Sequence, residues 1–146
     1  MAKVRAGLSG ASGGGGNALP FVTDNGHYQT NTCNLALDND DTTWWISAGS
    51  NPSYGGYIYA DYGEVVSLKK VIVRTGNYNN SNVNNTINIY GADINNQNKT
   101  LIATTTAKYT DGRKEIQLTG SYRYYYFEAV GSSAGFGSFS HLSTYQ

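Results

Sequence analysis

Over 146 residues, ten basic side chains offset ten acidic ones, only 14% of residues are charged, and Gly and Tyr are abundant, at 18 and 13 copies. A neutral chain has no electrostatic grip on a phosphate backbone or an anionic membrane, so nucleic-acid binding is not expected. The length suits one domain with a sizeable core, and no apolar run approaches the roughly 20 residues that span a bilayer, so no membrane insertion is expected.

In chain order, residues 1–20 stand apart. Met1 to Arg5 carries two positive charges, but Gly and Ser follow where a signal peptide needs an apolar core. The run Ala6 to Asn17 has little to bury, and its glycines lose too much entropy to fold alone. This segment reads as a tether, either a disordered terminus or an anchor that orders against a partner, and residues 21–146 as the folded domain. Cys33 is the only cysteine, so no internal disulfide can form, and it reads as a small buried hydrophobe.

Ala36-Leu37-Asp38-Asn39-Asp40-Asp41-Thr42-Thr43-Trp44-Trp45 is the densest chemical signal. Asp and Asn bond their own backbone and tolerate tight turns, so the stretch reads as a structured loop, not a helix, tied down by its Trp pair. Such a loop can hold a cation through oxygen ligands, shape a binding mouth, or simply cap the core. Beyond it the pattern is β. Tyr57 to Tyr62, Leu68 to Arg74, Thr86 to Tyr90, Leu101 to Thr106, Lys114 to Leu118 and Tyr122 to Val130 are short runs rich in β-branched and aromatic residues. Gly63-Glu64, Asn95-Asn96 and Asp111-Gly112 read as turns between them. No segment sustains a helical period, so the fold class is an all-β sandwich or barrel.

No catalytic constellation appears. His27 and His141 lack partners at zinc spacing, and Asp38, Asp40 and Asp41 share one loop, so they cannot flank a scissile bond. No nucleophile elbow, phosphate loop or dinucleotide fingerprint occurs, so the chain is not expected to be an enzyme. Asn79, Asn84 and Asn98 begin sequons, which in so Asn-rich a chain read as accidental.

Read in order, several motifs carry a resemblance: Ala36, Asp38, Asp40, Thr43 and Trp45; Asp61 and Gly63; Val71 and Val73; Tyr90 and Asp93; Arg123 and Tyr124. From about Asn34 to Tyr145 the chain resembles the discoidin, or coagulation factor 5/8 type C, family. These are galactose-binding-like jelly-roll sandwiches that include many carbohydrate-binding modules. The resemblance implies a calcium at the acidic loop, with Asp38, Asp40 and Thr43 among its ligands. His141 stands where the family places a Glu of the last strand, and imidazole is a poor calcium ligand. It also implies a glycan site built from Arg74 and Asn79, with Phe136 as the aromatic from a C-terminal loop. Guanidinium and amide groups bond adjacent hydroxyls in fixed directions while a ring stacks on the sugar. Trp44, Tyr54 and Tyr78 could widen that platform.

The expected function is non-enzymatic glycan recognition through loops at one end of the sandwich. Weak single-site binding calls for many copies on one scaffold. With the Gly-rich anchor, this suggests a bacteriophage virion protein, a capsid decoration or fibre head on the virion surface. It would be held through the tether by capsid or tail proteins and would touch host-surface or mucosal glycans. The alternative is a structural decoration or docking module whose loops meet protein, since sandwiches host both jobs.

Overall fold

Tyr122 to Val130 alternates two apolar sets, and β8 (Tyr122–Val130) sends them to opposite faces of one sheet. Tyr125, Phe127 and Ala129 enter the main core, whereas Tyr124 and Tyr126 join a smaller cluster on the outer face. The protein is described here from a computed structural model whose described residues are 20–48, 56–77, 84–131 and 136–146. The expected tether at residues 1–20 lies, apart from Pro20, outside them.

The remaining strands are β1 (Phe21–Asp24), β2 (Trp45–Ile46), β3 (Gly56–Val66), β4 (Lys70–Arg74), β5 (Asn85–Ala92), β6 (Thr100–Ala107), β7 (Lys114–Gln117), β9 (Ser138–Phe139) and β10 (His141–Tyr145). They form a five-stranded sheet, β1-β3-β8-β5-β6, a three-stranded sheet, β10-β4-β7, and a β2-β9 pair. The strand pairings are antiparallel. Ile58, Ile87, Ile89 and Phe127 from the first sheet meet Val71, Val73 and Leu142 from the second in one core. Each such side chain contributes about 1.5–3 kcal/mol on burial. Buried tyrosines tie the layers together: Tyr62 Oη lies 2.7 Å from Thr144 Oγ1 across the sandwich. Tyr125 Oη donates to Val66 O at 2.8 Å. The expected jelly-roll-type sandwich is what the strands build.

Two local expectations need correction. Gly63-Glu64 is not a turn between strands but an irregularity inside β3, where the register slips between Asp61 and Val66. Gly63 has φ +77° there, a conformation glycine adopts without cost, and its N–H donates to Asp61 Oδ1. The acidic stretch also begins inside a helical turn, α1 (Asn34–Leu37), which buries Ala36 and Leu37 completely. Four residues with no side-chain cap leave no periodicity to read. Cys33, just before it, is buried as expected. Burial first, and then the Asp24 carboxylate, push its thiol up to about 12, so it is inert at neutral pH.

Candidate functional site

The acidic loop folds by bonding to itself. Asp38 Oδ1 accepts from Asp40 N at 2.9 Å, and Asp40 Oδ1 accepts from Thr42 N at 2.9 Å and Thr42 Oγ1 at 2.6 Å. Asn39 takes φ +62°, which Asn tolerates better than most residues. The Trp pair then divides its work. Trp45 is fully buried and stacks on Phe139 at 5.9 Å between ring centroids. Trp44 lies against the backbone of Gly76, where a Cβ would meet its Cβ and Cγ at 2.8 Å. That contact sets Trp44 beside the segment that follows Arg74.

Arg74 ends β4 opposite His141 on β10. Its guanidinium lies over the Tyr109 ring, 3.9 Å from the centroid, and donates from Nη1 to Asp41 Oδ2 at 3.0 Å and from Nε to Tyr109 O at 3.3 Å. Nη2 makes no hydrogen bond among the described residues. Arg113 grips the same carboxylate: Nε lies 3.2 Å from both Asp41 oxygens, and Nη2 donates to Asp41 Oδ1 at 3.0 Å and Asn39 Oδ1 at 2.9 Å. Tyr109 Oη donates to Asp41 O at 3.2 Å. Desolvation is the largest single influence on Asp41 and pushes its carboxyl up. The hydrogen bonds and charges of Arg113 and Arg74 together outweigh it and hold the group below the ordinary Asp value.

Four oxygens meet at Thr43. Its Oγ1 lies 2.6 Å from Asp38 Oδ2, 3.1 Å from Asp40 O and 3.3 Å from Leu35 O. The hydroxyl proton serves Asp38 Oδ2, its shortest contact, and all four are hard oxygens of the kind calcium takes. Among the described residues no three His, Cys, Asp or Glu side chains gather at metal spacing, so such an ion would lean on main-chain carbonyls. His141 is buried nearby, with Nε2 3.0 Å from Ser143 Oγ and Nδ1 without a partner among the described residues. Its basicity is lowered first by burial and then by Arg113, against the opposing pull of Asp41 and Asp38.

Phe136 is half-buried, its ring 5.0 Å from that of Tyr28. Gly137 holds it there: a Cβ at Gly137 would fall 1.8 Å from Ala129 O, so only glycine lets this segment approach β8. Gly76 N–H donates to Ser138 O, and Ser140 N–H to Arg74 O. The structure therefore gathers Trp44, the end of β4 and the segment carrying Phe136 at one end of the sandwich, with the Arg74 guanidinium turned to Asp41 and the Phe136 ring to Tyr28. Asn79, Tyr54 and Tyr78 lie outside the described residues. Asp41 stands in the acidic stretch, but its pairing with Arg74 has no local signature in the sequence, nor do Tyr109, Arg113 or Tyr28, because each meets its partner only through tertiary folding.

No protein-family model matches this chain, and no curated protein matches it. Solved structures do. A family 32 carbohydrate-binding module of Clostridium perfringens in complex with GalNAc-β-1,3-galactose superposes with a TM-score of 0.68 at 13% identity, covering 86% of this chain and 94% of that one. The family 32 module of NanJ from C. perfringens, in complex with galactose, gives 0.65 at 15% identity, covering 84% and 90%. Chitosan-binding module 1 of a chitosanase/glucanase from Paenibacillus sp. IK-5 gives 0.67 at 16% identity and covers both chains fully. Against a truncated AlyQ with family 32 and alginate lyase domains, the chain spans 30% of that protein's length. At these identities the likeness shows the fold. The fold is that of the discoidin-like, galactose-binding-like carbohydrate-binding modules, as the sequence resemblance implied.

Proposed function

We propose that the chain is a non-catalytic carbohydrate-binding module whose site lies at the end of the sandwich carrying Arg74, Trp44 and Phe136. The observation that carries this reading is the state of Arg74. Its guanidinium lies over Tyr109 and is steered by Asp41, yet Nη2 makes no hydrogen bond among the described residues. A held cationic donor at the end of the sandwich that also carries Trp44 and the half-buried Phe136 offers the groups that bond sugar hydroxyls and pack against a pyranose face. Two of the superposed modules are complexes with galactose and with GalNAc-β-1,3-galactose, which supports the same substrate class. A glycan array probed with wild type, Arg74→Ala and Phe136→Ala tests it. The reading expects signals that both substitutions reduce at least tenfold. Silence across the array favours the docking module whose loops contact protein.

The same proposal includes calcium, held by Leu35 O, Asp38 Oδ2, Asp40 O and Thr43 Oγ1 and supplying rigidity rather than chemistry. With a single carboxylate oxygen in the set, affinity falls in the weak range of extracellular modules, a Kd of about 10⁻⁴–10⁻³ M. Millimolar calcium should raise the thermal midpoint of wild type and leave Asp38→Asn unmoved.

The wider setting we propose is display on a phage particle through residues 1–20. A Gly-rich anchor suits a part carried in many copies, and one weak sugar site gains from multivalency. A cryo-microscopy map of the producing particle, in which this segment touches no shell or tail protein, would remove that part of the proposal.

A further inference from the structure

At the far end of β8 from Phe136, roughly 25–30 Å away by strand length, the β5–β6 turn borders an open, solvent-facing cleft of about 230 Å³. Asp93, Ile94, Gln97, Asn98, Thr100 and Tyr122 line it. The turn is not loose. Tyr126 Oη accepts from Asn96 N at 2.6 Å and donates to Asn95 Oδ1 at 3.1 Å, and Tyr57 Oη donates to Asn96 Oδ1 at 3.0 Å. Asn96 and Asn98 take φ of +59° and +49°, and Gln97 N–H closes the turn onto Ile94 O. The outer tyrosine cluster thus uses up Asn95 and Asn96. No hydrogen bond within the described residues engages the side chains of Asp93, Gln97 or Asn98. Tyr122 supplies an aromatic wall, backed by Gly91 and Gly120, where a Cβ would come within 2.2 and 2.8 Å of its ring.

We propose that this cleft is a second, independent saccharide site, which takes one neutral sugar ring against Tyr122 with Asp93, Gln97 and Asn98 bonding its hydroxyls. Three arguments carry it. The volume is below the roughly 300–1,000 Å³ of sites for drug-sized ligands and matches a single ring. A carboxylate accepts from two adjacent hydroxyls while the carboxamides both donate and accept, and a ring wall suits the apolar face of a pyranose. The sign of the charge selects the ligand. Asp93 lines the cleft and no Lys or Arg does, while the Lys99 ammonium lies over the Tyr57 and Tyr126 rings, at 4.4 and 4.2 Å. Uronic acids and sialic acids are therefore rejected. With a site at each end, one chain can bridge two glycans.

The inference does not require the Arg74 site, and one experiment separates them. Amide spectra of the full chain are recorded against galactose, glucose, N-acetylgalactosamine, N-acetylglucosamine and, as the anionic control, glucuronic acid, each to about 50 mM. The expected result is a saturable shift of amides in 92–100 and 120–122 by at least one neutral sugar and none by glucuronic acid. Asp93→Asn should weaken that shift about tenfold, the value of one charged hydrogen bond, and Arg74→Ala should leave it unchanged. Shifts confined to the Arg74 end would overturn the second site and leave the first. No shift at these amides with any of the five sugars overturns it equally, and a shift that Asp93→Asn does not weaken removes the assigned binding mode.

Discussion

Remove the Asp41 carboxylate and two guanidiniums lose their common partner, leaving Arg74 and Arg113 to repel each other across a partly buried gap. Asp41→Ala is expected to cost about 1–2 kcal/mol, since the lost bonds are charge-assisted but partly solvated. Urea denaturation reads that cost directly, and Arg74 released from its clamp should bind sugar more weakly even where the fold survives. His141 makes the neighbouring prediction. Its folded-state basicity lies below the unfolded value near 6.5, so the unfolded chain binds the proton first as pH falls. Its contribution is therefore constant above about pH 6.5 and declines as pH drops below that value. Thermal midpoints measured from pH 8 to 5 should show this decline, and His141→Gln should flatten it. None of this pairing could be read from the sequence: Asp41 and Arg113 stand 72 positions apart, and nothing local marks either for the other.

Elements were legible where their side chains differ between faces. Ile87 to Tyr90 and Glu115 to Leu118 alternate, and both fall on strands, the first in β5 and the second, but for Leu118, in β7. Trp45–Ile46 and Ser138–Phe139 are two-residue strands, too short to show a period. In β10, Ser143 and Thr144 are buried along with Leu142, so hydroxyls occupy positions that hydrophobicity would not mark as core. Only the family resemblance pointed to a last strand there. Asn95-Asn96 was legible as a turn, but not that Tyr57 and Tyr126 pin it to the sheet. Tyr126→Phe deletes both hydrogen bonds to that turn and should cost about 1–2 kcal/mol. Hydrogen exchange should locate the loss, with the Asn96 amide losing protection while β4 keeps its own. Gly137→Ala is the severe case. A methyl cannot occupy a point 1.8 Å from a carbonyl oxygen, so the segment must leave β8, at a cost above about 3 kcal/mol. Phe136 would move with it, and glycan signals should fall with stability.

At the scale of the molecule, the two-sheet stack sets out an end rich in tethered loops and an opposite end closed by the β5–β6 turn. The all-β class followed from many short strands and no helical period, and the sandwich from the family-like order of motifs. What composition could not give is which polar groups remain uncommitted after folding, because that depends on every partner the fold supplies. Arg74 illustrates it: the sequence marks a guanidinium at a strand end, and only the structure shows Asp41 and Tyr109 holding two of its nitrogens. The decisive measurement is a crystal structure of the chain with the strongest glycan from the array. The account predicts a sugar hydroxyl within hydrogen-bond reach of Arg74 Nη2 and a pyranose face against Phe136 or Trp44. A glycan bound elsewhere, with Arg74 contacting only Asp41 and Tyr109, would contradict it.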